Sequence, residues 1–103
     1  MQAVLSAIAD DRRREILRLV QFDERSAGDI ASHFSVSRPA ISQHLTVLKT
    51  AGLIHERRDG NRRMYRANRE ALSEVREYIE EFWTDNLARL KAAAEKESRD
   101  NER

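Results

Sequence analysis

The stretch that most narrows the fold lies between residues 35 and 54, where the chain reads Ser-Val-Ser-Arg-Pro-Ala-Ile-Ser-Gln-His-Leu-Thr-Val-Leu-Lys-Thr-Ala-Gly-Leu-Ile. Both ends of a helix are written into it. Ser37 is a residue type whose hydroxyl accepts a free N–H of a first helical turn. Pro39 falls within that turn, where a missing N–H costs little. Gly52 stands just past the end, with Lys49 in the last turn. Between these marks Ile41, Leu45 and Leu48 recur at i, i+4 and i+7, an inward stripe that Val47 is expected to widen. The opposite side presents Arg38, Pro39, Ser42, Gln43 and Thr46, and no Asp or Glu occurs from Arg38 to His55.

The residues before this helix supply what it packs on. Val4, Leu5, Ile8 and Ala9 form a short apolar helix face that ends at Asp10-Asp11. Asp10 is a good N-cap for a second helix over roughly 11–21, with Ile16, Leu17, Leu19 and Val20 inward. Arg12, Arg13 and Arg14 lie at its start, against the helix dipole, and are expected to face solvent. After the connector Asp23-Glu24-Arg25, Ser26 caps a short third helix, and Asp29 three residues on approximates a capping box. Ile30, Ala31 and Phe34 make its core face. Two helices joined by the tight turn Ser35-Val36, the second entered through Ser-x-Pro, have the layout of a helix-turn-helix.

After Gly52 the period changes. The runs 53–58 and 63–67 flank Asp59-Gly60-Asn61-Arg62, a good hairpin signal. The hairpin is too polar for a core sheet and carries Arg57, Arg58, Arg62, Arg63 and Arg66; it reads as a wing. From Glu70 helical spacing returns with Leu72, Val75, Tyr78, Ile79, Phe82, Trp83, Leu87 and Leu90. No internal repeat is present. The expected fold is mainly α with a small β-hairpin, a winged helix-turn-helix in the order α-α-α-α-β-β-α. One domain over residues 1–94 is followed by a charged tail, 95–103, predicted to fray.

Charge is distributed unevenly along the 103 residues. Residues 38–69 hold eight Lys/Arg against two acids, whereas residues 1–37 hold five against six and residues 70–103 hold six against ten. One contiguous basic third is an electrostatic footprint for a polyanion. Arg pairs bidentately with guanine, Gln with adenine, and Ser or Thr with base edges or phosphates. The carboxylate-free face of the central helix therefore suits the DNA major groove. The wing arginines suit the backbone or minor groove. Arg58, Arg62 and Arg63, nearest the tip, rank first for that role; Arg57 and Arg66 either pair with Glu56 or lie along the strands.

With no cysteine, disulfides, thiolate metal sites and cysteine nucleophiles are excluded. The N-terminus has no basic segment followed by a long apolar run, so neither a signal peptide nor a membrane span is expected, and a cytoplasmic protein is predicted. No phosphate loop, Ser/His/Asp arrangement or paired carboxylates can be assembled, so no enzyme and no cofactor are expected.

The segments ADDRRREILRLV, AGDIASHFSVSRPAISQHLTVLKTAGLIHERRDGNRRMYRAN and EEFW closely resemble the ArsR-type winged helix-turn-helix repressors, over about residues 3–90. The resemblance implies a repressor that binds double-stranded DNA at a palindromic operator, as a homodimer joined through its first and last helices. It puts Arg38, Pro39, Ser42 and Gln43 where the family contacts DNA, and Leu5 and Ile8 on a helix of the interface. Independently, Tyr78, Ile79, Phe82, Trp83 and Leu87 are more apolar surface than a small core needs, so part of it is expected to meet a second copy. Such a dimer spaces its recognition helices by about 34 Å, one DNA turn.

Many members of this family sense metals, and here the ligands are missing. The family's third-helix cysteines are replaced by Ala27-Gly28-Asp29-Ile30-Ala31, and His33, His44 and His55 fall in three different elements. Glu74, Glu77, Glu80 and Glu81 remain on the long helix, but carboxylates alone make a poor transition-metal site. No metal is expected, and the inducer is unspecified: concentration alone, or an apolar ligand between the long helices. The alternatives are a metal-responsive sensor of the same family and a winged-helix module whose basic hairpin docks an acidic protein.

Overall fold

The computed structural model describes residues 1–101. Its elements run α1 (Gln2–Ile8), α2 (Asp11–Leu19), β1 (Arg25–Ser26), α3 (Ala27–Ser32), α4 (Arg38–Thr50), β2 (Ile54–Asp59), β3 (Arg62–Ala67) and α5 (Arg69–Asn101). The helix boundaries follow their caps. Asp10 accepts the N–H groups of Arg12 and Arg13 at 2.8 and 3.1 Å. Ser26 accepts that of Asp29 at 3.1 Å and Ser37 that of Ala40 at 3.3 Å. Asp29 turns its carboxylate to Arg25 Nη1 at 2.8 Å, so the capping box is only half made. Gly52 closes α4 at φ 79°. There the N–H of Leu53 reaches Leu48 O and that of Gly52 reaches Lys49 O, both at 3.0 Å, the paired bonds of a Schellman end.

The core gathers where α2, α3 and α4 meet the sheet. Ile16, Val20, Ile30, Ile41, Leu45, Leu48 and Leu53 are its fully buried side chains. Val47 departs from the expected stripe: it is 40% exposed, because the core lies on the side of Ile41, Leu45 and Leu48 and Val47 falls to its flank.

The sheet has three strands, not two, in the order β1-β3-β2. The connector before Ser26 pairs with the hairpin, Arg25 opposite Tyr65 and Ser26 opposite Met64. In the hairpin itself Asp59 faces Arg62 across a two-residue loop. Gly60 takes φ 61° there while Asn61 keeps a negative φ, the glycine-first pattern of a type II′ turn. The sheet is fixed to the helices by Ala67 N–H on Val20 O at 3.0 Å.

Of the three arginines at the start of α2, Arg12 is exposed as expected, but Arg13 and Arg14 turn back onto α1. Arg13 Nε donates to Ala7 O at 2.6 Å and Nη2 to Ser6 O at 3.3 Å, while Arg14 Nη1 donates to Ile8 O at 2.7 Å. They oppose the dipole of their own helix but occupy the free carbonyls at the end of α1, where cations are favoured.

Asn68 starts α5 by accepting the N–H of Ala71 at 3.2 Å, and its own amide donates to Gly52 O at 2.9 Å. At 33 residues α5 spans about 50 Å, which accounts for the long dimension of a molecule measuring 73 × 27 × 21 Å. Its last core residue is Val75. The helix continues past Ala94 to Asn101; residues 102–103 of the tail lie outside the described residues. Among the described residues, no helix is long and apolar enough to cross a membrane.

Candidate nucleic-acid interface

The exposed residues of α4 divide into two rows. Arg38, Ser42, Thr46 and Lys49, at i, i+4, i+8 and i+11, line a groove between α4 and the wing. Its other wall carries Glu56, Asn61, Arg62, Arg63 and Tyr65, and its end is closed by Ser26, Ala27 and Gly28. Pro39 and Gln43 are exposed on the adjoining outer row and do not line the groove. Thr46 Oγ1 donates back to Ser42 O at 3.0 Å, leaving its oxygen lone pairs and methyl outward. Arg38 reaches over the first turn of α3: a Cβ on Gly28 would lie 3.5 Å from Arg38 Nη1.

The hairpin register sorts the wing arginines. Directly opposite residues share a face, so Glu56 with Tyr65 and Arg58 with Arg63 form one face, and Arg57 with Met64 and Asp59 with Arg62 the other. Two arginines directly opposite each other repel unless an anion lies against them. Arg63 has partial relief from Glu56 Oε1 at 3.5 Å, which Lys49 Nζ shares at 3.4 Å, and Arg62 lies 3.6 Å from Asp59. Among the described residues, Arg38, Arg58 and Arg66 are in no ion pair. Arg57 pairs with neither Glu56 nor a neighbour along its strand. It holds Glu24, with Nε on Oε2 at 2.7 Å, and lowers that carboxyl below the usual range.

Glu56 is the one carboxylate in the groove wall. Tyr65 Oη donates to its Oε2 at 2.8 Å. That bond, followed by those of Lys49 and the charge of Arg63, holds the Glu56 carboxyl below its ordinary value. Burial chiefly, with the Glu56 bond second, pushes the Tyr65 phenol up to about 12. Lys49, Asn61 and the Glu56–Tyr65 pair were not singled out from sequence. The turn held the signal for the pair: with a two-residue loop after Asp59, counting back three places sets Glu56 opposite Tyr65.

The apolar middle of α5 is a second surface. Tyr78, Ile79, Phe82, Trp83 and Leu87 are exposed, the last three by 57, 57 and 56%. Leu5 of α1 joins the first four around an apolar groove. Ile8 does not; it packs on its own subunit's core. His33 caps the end of α3 while His44 lies on α4 and His55 on β2, and among the described residues no three His, Cys, Asp or Glu side chains gather to hold a metal.

A helix-turn-helix followed by a basic hairpin and set on a long final helix is a winged helix-turn-helix, a DNA-binding regulator. A profile of bacterial regulatory proteins of the arsR family matches residues 10–56. An HTH-type transcriptional regulator of Mycobacterium tuberculosis is 42% identical over 81 residues, 79% of this chain and 76% of its own. The transcriptional repressor SdpR of Bacillus subtilis is 43% identical over 74 residues, 72% of this chain and 82% of its own. A crystal structure of a possible transcriptional regulator for arsenical resistance superposes with a TM-score of 0.76 at 39% identity, over 89% of this chain and 95% of that one. The chain belongs to the ArsR family of bacterial transcription regulators and is not an enzyme.

Proposed function

We propose that this protein is a homodimeric repressor that binds a palindromic operator and works without a resident metal. Each subunit sets α4 into the major groove. Arg38, Ser42, Gln43 and Thr46 face base edges, and Pro39 lies against the backbone at the helix start. Arg58, Arg62 and Arg63 of the wing neutralise phosphates. The exposed Tyr78, Ile79, Phe82, Trp83 and Leu87, with Leu5, form the dimer surface; Ile8 supports it from the core side. The absence of cysteine and the scatter of the three histidines favour the metal-free reading, and repression follows the relative named as a repressor.

The observation that carries this reading is the groove itself. An exposed helix face without a carboxylate stands beside a wing in which Arg58 and Arg63 oppose each other. Such like charges are held together at least cost when a polyanion fills the space between them. The test is the mass and salt dependence of a protein–duplex complex. Two chains per palindromic duplex are expected, with affinity falling steeply as salt rises. One chain per duplex, or affinity indifferent to salt, contradicts the reading.

A further inference from the structure

Arg13 is more than a cap for α1. Its guanidinium is a planar fork with five N–H donors and no acceptor, and here it is divided between two helices. Nε and Nη2 hold Ala7 O and Ser6 O at the end of α1, at 2.6 and 3.3 Å. Nη1 lies 3.4 Å from His44 Nδ1. His44 belongs to α4, is half-buried, and directly follows Gln43 of the exposed outer row. Because Arg13 can only donate, the contact uses His44 Nδ1 as the acceptor. Asp10 completes the cluster from behind. It accepts the Arg12 and Arg13 N–H groups, and its carboxyl is held below the usual range first by the Arg13 bond and then by that of Arg12.

The helix tied to α4 in this way is the one that carries Leu5, part of the apolar groove with Tyr78 and Trp83. Core packing through Ile41, Leu45 and Leu48 holds α4 against the body but is non-directional. A directional contact on a flank of the helix fixes its rotation, and thereby the angle at which Gln43 is presented.

We propose that Arg13 is a positioning residue for DNA reading: through His44 it locks the recognition helix to the first helix, so that sequence discrimination depends on a contact that never touches DNA. The inference rests on the function proposed above.

The test is a double-mutant cycle read on two duplexes, a selected site and a scrambled one of equal length and salt. Arg13→Lys keeps a cation for the α1 carbonyls but has no fork to reach His44 as well. His44→Ala removes the acceptor, and His44→Gln restores one. Both Arg13→Lys and His44→Ala are expected to weaken the selected site by about tenfold, to leave the scrambled duplex within about twofold, and to keep the folded far-UV spectrum. The double variant is expected to lose no more than either single one, and His44→Gln to recover most of the affinity. Additive losses, equal losses on both duplexes, or a Gln variant no better than Ala would overturn the proposal. Should the unmodified protein show no preference between the duplexes, the operator-binding reading falls and this inference with it; a clear preference with additive losses removes this inference alone.

Discussion

The carboxylate of Glu56 stands between the recognition helix and the wing, taking the Tyr65 hydroxyl at 2.8 Å and shared by Lys49 and Arg63. It stabilises the seam and partly neutralises two cations that would otherwise face DNA. Since folding holds its carboxyl below the ordinary 4.5, its contribution is complete above about that pH and is lost as the pH falls through the folded-state value. Glu56→Gln is therefore expected to flatten the acid side of a stability profile measured by denaturant unfolding. At neutral pH the same variant releases Arg63 and Lys49, and its affinity for duplex should gain a salt slope steeper by up to about 1. An unchanged slope would separate Glu56 from the DNA surface. Arg38, in no ion pair among the described residues and lying over Gly28, is expected to act on sequence. Arg38→Ala should cost about 1–3 kcal/mol at the selected site and relax preference at one base pair. An equal loss on every duplex would make it a phosphate contact.

At the scale of elements, what was legible in the sequence was local chemistry. Asp10, Ser26 and Ser37 cap the helices they precede, and Gly52 and Gly60 take the positive φ their turns require. Each of these choices is decided within a few residues. What the sequence hid depends on partners far along the chain. The two residues of β1 are a strand only because Tyr65 and Met64 come alongside. Arg57 finds Glu24 across the same sheet, and Arg13 finds the end of α1 by a reversal at Asp10. The helix beyond Ala94 has a different basis. Apolar spacing stops there, but Glu95, Lys96, Glu97 and Arg99 are good helix formers and extend a helix already nucleated. Two predictions belong to this scale. Gly52→Ala meets no atom within 4 Å, so its cost is backbone strain alone, about 1–2 kcal/mol in thermal or denaturant unfolding. Arg58→Ala should weaken all duplexes alike and lower the salt slope by about 1; loss confined to one sequence would contradict its role on the backbone.

Taken whole, the molecule is a small core with a long helix standing out from it, and beyond Val75 that helix carries its aromatic residues into solvent. A second copy is the economical cover, since a two-fold axis lets the same patch meet itself. Trp83→Ala is expected to shift the sedimentation equilibrium from dimer toward monomer and, with it, to lower operator affinity; an unaltered mass would place the interface elsewhere. The central claim is that two such subunits read one palindrome through α4. It is tested most directly by selecting from random DNA duplexes with the purified protein at physiological salt. The account predicts an enriched palindrome with half-site centres one helical turn, about 34 Å, apart. Recovery of no common sequence, with only weak and salt-sensitive binding, would contradict it.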